Sequence, residues 1–188
     1  ENKKLPLIKS LIDDKPEYHS ILVFSSTKRK VSEIVRGLRT REYSVEGISS
    51  DLIQKQREEM VLRFRSKQTR VLVATDVLSR GIDIKDINLV INFDVPSDAE
   101  DYVHRVGRTA RAETTGVAVT LVTRDDIQKM QRIEKLIERE VYRAPLPAFL
   151  ADIPDVTPER RTGDRGSRKG GFRRKPSKGG SGRQGSRN

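Results

Sequence analysis

The chain has 188 residues, a net charge of +11 and no cysteine. It is sized for one domain plus extra segments, and it has no disulfide framework, thiolate metal site or cysteine nucleophile. No apolar run approaches a membrane span and no signal peptide is visible, so no membrane partner is expected. Absence of cysteine fits a reducing, cytoplasmic setting, and a start at Glu1 instead of methionine makes a fragment or processed chain the expectation.

In chain order, Leu5, Ile8, Leu11 and Ile12 predict a short opening helix. Ile21-Leu22-Val23-Phe24 reads as a buried strand, followed directly by Ser25-Ser26-Thr27. Val31, Ile34, Val35 and Leu38 form one helical stripe. Val45 to Ile48 is a weaker strand, and Ile53, Met60, Val61 and Phe64 make a looser stripe. Val71 to Ala74 is a second strong strand, ending on Thr75-Asp76, and Leu89 to Phe93 is a third. Ser97-Asp98-Ala99-Glu100 has the Ser-x-x-Glu form of a capping box. Ala99, Tyr102, Val103 and Val106 then share a helical face. His104, Arg108 and Arg111 lie four and three apart, on another face of a helix that continues that far. Val117 to Val122 predicts a further strand. Ile127, Met130, Ile133, Leu136 and Ile137 predict a helix ending near Val141.

These elements fill residues 1–143. Pro145, Pro147, Pro154 and Pro158 mark an extended linker over 144–158. Residues 159–188 hold 11 Lys or Arg against 2 acidic residues and 8 of the 13 glycines. Such a tail buries too little apolar surface to order itself, and its charge suits RNA or DNA. Strands buried on both faces and alternating with helices imply an α/β fold with a mostly parallel sheet and right-handed crossovers. Ligand sites in such folds lie at the carboxyl ends of the strands, where the polar clusters stand.

No stretch fits the phosphate-binding pattern Gly-x-x-x-x-Gly-Lys-Ser/Thr; Gly166 to Gly171 has the glycine spacing but is followed by Phe172. The only histidines are His19 and His104, so no metal site is expected. Asp98-Ala99-Glu100-Asp101 looks like an acidic box but opens a helix, where carboxylates suit the amino terminus. The arginine run remains open to two readings, an anion-seeking helix or a solvated basic helix end.

Four segments together resemble the C-terminal RecA-like lobe of DEAD-box ATP-dependent RNA helicases of bacterial type, within superfamily 2. Leu22 to Thr27 resembles motif IV, and Ser50 to Arg57 the Gln-x-x-Arg motif. Val73 to Ile84 resembles motif V, and Tyr102 to Arg111 motif VI. The resemblance implies a RecA-like three-layer sandwich with helices on both faces. It implies that Arg108 and Arg111 reach the γ-phosphate of ATP as catalytic arginine fingers. Gly81 and Asp83 would meet the nucleotide, Asp83 at its ribose. Thr27, Gln54, Arg57, Thr75, Arg80 and Gly81 would contact RNA, and His104 would communicate between lobes. Arg105 would brace motif V. ATP with Mg²⁺ is the implied cofactor, the Mg²⁺ held by an N-terminal RecA-like lobe of the same protein. Alone, the chain should be inactive. The alternatives are a non-enzymatic RNA-binding or annealing module acting through its basic tail, and a lobe of a DNA helicase. Two departures stand out: Ser49 where the family often has histidine, and Ala110 where it commonly has a second glycine.

Overall fold

Ile21–Phe24 (β1), Val45–Ile48 (β2), Val71–Ala74 (β3) and Leu89–Asn92 (β4) are followed by the short strands Ala110–Arg111 (β5) and Thr114–Thr115 (β6), then Val117–Thr120 (β7). The helices are Lys4–Asp13 (α1), Lys28–Arg39 (α2), Gln54–Arg65 (α3), Ala99–Val106 (α4) and Ile127–Leu136 (α5). The structure, a computed structural model, describes residues 1–39, 43–76, 84, 87–111 and 114–153, with backbone alone at 110–111 and 114–115.

The main sheet has the order β2-β3-β1-β4-β7, and all four of its pairings are parallel. The three inner strands are apolar on both faces because both are covered. Ile21, Val23, Val71, Val73, Leu89 and Ile91 pack with Ile8 and Ile12 of α1 and with Val31, Ile34 and Leu38 of α2. Their alternate neighbours Leu22, Phe24, Leu72, Ala74 and Val90 pack with Val61 and Phe64 of α3 on the other face. Burying each such side chain fully contributes about 1.5–3 kcal/mol. A smaller cluster of Val95, Tyr102, Met130 and Ile133 joins α4 to α5. The expected α/β three-layer arrangement is therefore present.

Strand order reverses between β1 and β4: the chain leaves β1 for β2 on one side and leaves β4 for β7 on the other. A crevice opens at the carboxyl ends of strands at such a reversal.

Five local expectations are corrected. The helix bearing the arginine run stops at Val106 and does not continue through Arg111. Gly107 caps it, Thr109 Oγ1 donates to the Val106 carbonyl at 2.9 Å, and the chain turns into the antiparallel β5–β6 hairpin. Its N-cap is Asp98 instead of Ser97, and the Asp98 carboxylate accepts from the Glu100 N–H at 3.0 Å. Val103 is 45% exposed while Arg105 is 1% exposed, so the buried face is rotated toward a charged residue. Ile53, placed in an apolar stripe by its spacing, is exposed at the N-cap of α3. The last helix also ends early, at Leu136: Glu138 has φ 52° and the Arg139 N–H donates back to the Glu134 carbonyl at 3.1 Å, a left-handed stop. Beyond it, a single 3₁₀ turn at Ala148–Leu150 buries Leu150. Ala110 has strand backbone. Gly116 is required between β6 and β7, since a Cβ there would meet the carbonyls of Thr109 at 2.7 Å and Ile87 at 2.9 Å. Among the described residues no helix is long and apolar enough to cross a membrane.

Candidate functional site

Asp94 lies just beyond β4, in the crevice. One carboxylate oxygen accepts from the Ser25 hydroxyl (3.2 Å), the Ser26 N–H (2.9 Å) and the Ser26 hydroxyl (2.9 Å). The other accepts from Lys30 Nζ (2.7 Å) and Lys4 Nζ (3.4 Å). Burial alone would push this carboxyl up, but the Lys30 and Ser26 hydrogen bonds and the charge of Lys4 outweigh it and hold the group well below the usual carboxylate range. Lys4 is buried, and its ammonium also donates to the Phe93 carbonyl at 2.8 Å, pairs with Glu1 at 3.1 Å and stands over the Phe93 ring. Lys30 reaches Glu1 too, at 2.9 Å. Burial lowers the Lys30 pKa, and Asp94 and Glu1 more than reverse this, so it is raised.

Arg105 sits beside this cluster. Its Nε donates to Asp76 at 2.8 Å, its Nη2 approaches the same carboxylate oxygen at 2.6 Å, and its Nη1 donates to Asn92 Oδ1 (3.2 Å) and to the Asp94 carbonyl (3.1 Å). The guanidinium lies 5.0 Å from the centre of the Phe24 ring. Asn92 in turn donates to Thr120 Oγ1 at 3.1 Å. A buried arginine is tolerated because a carboxylate, an amide oxygen, a carbonyl and an aromatic face surround it. A cleft of about 370 Å³ opens here, lined in part by Ser26, Lys30, Asp94, Asp98, Arg105 and Asp126.

The other half of this edge is cationic and less saturated. Thr27 Oγ1 accepts from the Lys30 N–H at 3.2 Å and so caps α2. The first turn of α2 carries Lys28, Arg29 and Lys30 with no acidic residue, against the preference of a helix amino terminus. Lys28 pairs with Asp51 at 3.0 Å and Arg29 with Glu33 at 3.0 Å, while the charge of Lys30 is met internally. Gln54 opens α3 and donates to Glu58 at 2.8 Å. Two side-chain atoms among the described residues are buried without a hydrogen-bond partner: Thr75 Oγ1, at the end of β3, and Arg57 Nε, in the first turn of α3.

The family model of the helicase conserved C-terminal domain matches residues 3–113. The chain belongs to this family. DEAD-box ATP-dependent RNA helicase CshA of Geobacillus kaustophilus is 43% identical over 150 residues, which are 79% of this chain and 32% of that protein. A DEAD box protein from Methanococcus jannaschii superposes with a TM-score of 0.69 at 39% identity, over 74% of this chain and 38% of that one. Saccharomyces cerevisiae Dbp5 bound to RNA and ADP BeF3 superposes with a TM-score of 0.65 at 29% identity, over 70% of this chain and 35% of that one. The chain thus spans about a third of the length of the curated relative.

Within the helicase domain the expected site residues are dispersed along one edge of the sheet. Thr27, Thr75, Gln54 and Arg57 follow the carboxyl ends of β1, β3 and β2. His104 is exposed and Arg108 half-buried at the end of α4. The Arg108 N–H donates to the Arg105 carbonyl at 3.2 Å, so Arg108 rides on the turn that the buried arginine anchors. Arg80, Gly81, Asp83 and the side chain of Arg111 lie outside the described residues. The sequence reading missed Asp94, Lys28 and Arg29. A polar residue just past a fully buried strand, two positions before Pro96, is the signal that marks Asp94. Cations in the first turn of an amphipathic helix mark the other two.

Proposed function

We propose that this helicase domain is the C-terminal lobe of an ATP-dependent RNA helicase, with ATP and RNA bound between it and an N-terminal RecA-like lobe. The observation that carries the reading is the pair of partnerless buried atoms, Thr75 Oγ1 and Arg57 Nε, on the edge that also bears Thr27, Lys28 and Arg29. Burying a donor without a partner costs about 1–3 kcal/mol, a cost that a phosphate oxygen from an RNA backbone offsets. Dbp5, whose fold this lobe shares, has been captured with RNA and ADP BeF3. Backbone contacts of this kind position the strand and carry little sequence information.

Arg108 and Arg111 would stabilise charge on the transferring γ-phosphoryl group, with Gly81 and Asp83 against the nucleotide and Arg80 and Gly81 on the RNA. His104, exposed on α4, would face the other lobe. The donor set on this edge, guanidinium, ammonium and hydroxyl, suits a polyphosphate. Mg²⁺, held by the N-terminal lobe, would neutralise the phosphates. Closure of the two lobes would bend one RNA strand and unpair a short duplex, and hydrolysis would reopen them. We further assign residues 144–158 as linker and 159–188 as a tail adding a salt-sensitive hold on RNA, in a cytoplasmic protein.

The test is Arg108→Ala in the full-length protein. Hydrolysis should fall by about 10³- to 10⁵-fold while RNA affinity stays within about twofold. Retained hydrolysis would overturn the reading. The 188-residue chain alone should hydrolyse no ATP. Arg57→Ala should weaken RNA binding evenly across sequences and lower the salt slope by about one.

A further inference from the structure

Asp94 carries none of the assignments above, yet it joins three of the segments that do. Its carboxylate holds the loop after β1 through Ser25 and Ser26, one residue before Thr27. Its carbonyl accepts from Arg105, which lies in the same helix as His104 and one turn before Arg108. Arg105 in turn clamps Asp76, directly after Thr75. The same residue also takes Lys4, at the entry to the domain, and Lys4 is paired to Glu1 before it.

A carboxylate has about four lone-pair sites, and five donors from Ser25, Ser26, Lys30 and Lys4 already compete for them. Asp94 therefore has no capacity left for a ligand, and its charge would repel a phosphate. It does not bind; it fixes the spacing of groups that do. We propose that Asp94 is a positioning residue that makes the loop after β1 and the arginine-bearing helix α4 move as one body. The reference to RNA and ATP rests on the helicase reading; the mechanical link between the two segments does not. Displacing Ser26 toward a bound strand drags the carboxylate of Asp94. The carbonyl of that residue then carries Arg105, and with it the turn that bears Arg108.

The test uses Asp94→Asn with Lys30→Met, so that the ammonium nearest the lost carboxylate goes with it, Lys4 keeps Glu1 and the Phe93 carbonyl, and Asn keeps the shape. Amide exchange is followed in this chain without ligand. The expected result is about tenfold faster exchange at both 25–30 and 105–109, with β1 and β3 amides unchanged. Faster exchange at 25–30 alone would confine Asp94 to its own loop and overturn the proposal. Lys30→Met alone should leave 105–109 at wild-type protection; loosening equal to that of the double variant would assign the effect to the lysine and also overturn it. In the full-length protein, the double variant should keep basal hydrolysis within about twofold and lower its stimulation by RNA about tenfold. A proportional loss of both would count against the link. If the wild-type protein shows no stimulation by RNA, the helicase reading fails, and the exchange measurement still decides the role of Asp94.

Discussion

The two ends of the strands use the same chemistry to different degrees of completion. At the amino ends, Arg70 donates to the carbonyls of Tyr18 (2.8 Å), Lys15 (2.9 Å) and Ile12 (3.1 Å), tying the last turn of α1 to the start of β3. Asn88 accepts from the N–H groups of both His19 and Ser20 at 3.0 Å, and Ser44 donates to the Gln68 carbonyl at 2.6 Å. At the carboxyl ends, Arg105 and Asp94 are equally well satisfied, but Thr75 and Arg57 on the same edge hold atoms with no hydrogen-bond partner among the described residues. The amino ends close the fold. The carboxyl ends divide into an inner ring that closes it and an outer row that is less fully paired among the described residues.

That contrast breaks or sharpens under substitution. The largest effect is expected for Arg105→Ala, which removes one partner of Asp76 and the guanidinium donor to Asn92 and the Asp94 carbonyl, and leaves a cavity over Phe24. The stability loss should be about 3 kcal/mol or more in chemical denaturation. Arg105→Lys should recover little, because one ammonium does not reproduce the fork. Wild-type stability in the alanine variant would mean the inner ring is not structural at all. Arg70→Ala should cost about 1–3 kcal/mol and leave RNA affinity untouched. A drop in RNA affinity there would erase the distinction between the two ends.

The acid limb of the stability profile gives a third handle. The carboxyl of Asp94 is lowered in the folded state, so its stabilisation is fully present above the unfolded value of about 4. It is lost as pH falls through the folded value. Glu1 and Asp126 are lowered as well and act in the same direction. The stability gap between wild type and Asp94→Asn should be flat from about pH 5 to 8 and close below about pH 4. A gap that persists unchanged into acid would show that the charge of Asp94 is not what the serines and lysines recognise.

The smallest effect is the most diagnostic. Thr75→Val removes a buried hydroxyl that has no partner among the described residues and keeps its shape. Stability should stay level or rise by about 1 kcal/mol, while RNA affinity falls. A thriftily paired threonine would instead destabilise on the same change, so a loss of stability would place Thr75 with the inner ring.

Much of this was legible in the residues themselves. Ile21 to Phe24, Val71 to Ala74 and Leu89 to Asn92 are apolar at every position except the terminal Asn92, which only a strand covered on both faces requires. The stripe of Val31, Ile34, Val35 and Leu38 is buried as its spacing predicts. The failures share a cause. Periodicity counts apolar residues, so it selected Val103 for the inner face of α4, whereas the acceptors on Asp76, Asn92 and Asp94 draw Arg105 inward. Periodicity also ran α5 toward Val141, because a left-handed Glu138 leaves no mark on the pattern. The motif segments gave family and edge, but the residue that ties the segments together, Asp94, lies between them.

Strand order has a consequence for how the domain is made. β1 pairs with β3 and β4 and never with β2, so the register partners of Ile21 are Val71 and Leu89, fifty and sixty-eight positions later. Loop-closure entropy makes such pairings slow to form. During synthesis at roughly 5–20 residues per second, the Ile-Leu-Val-Phe strand therefore waits roughly 3–10 s for its first neighbour. For that interval the most apolar segment of the domain has no sheet to join, and α2, the helix that follows it, is the cover nearest to hand in the chain.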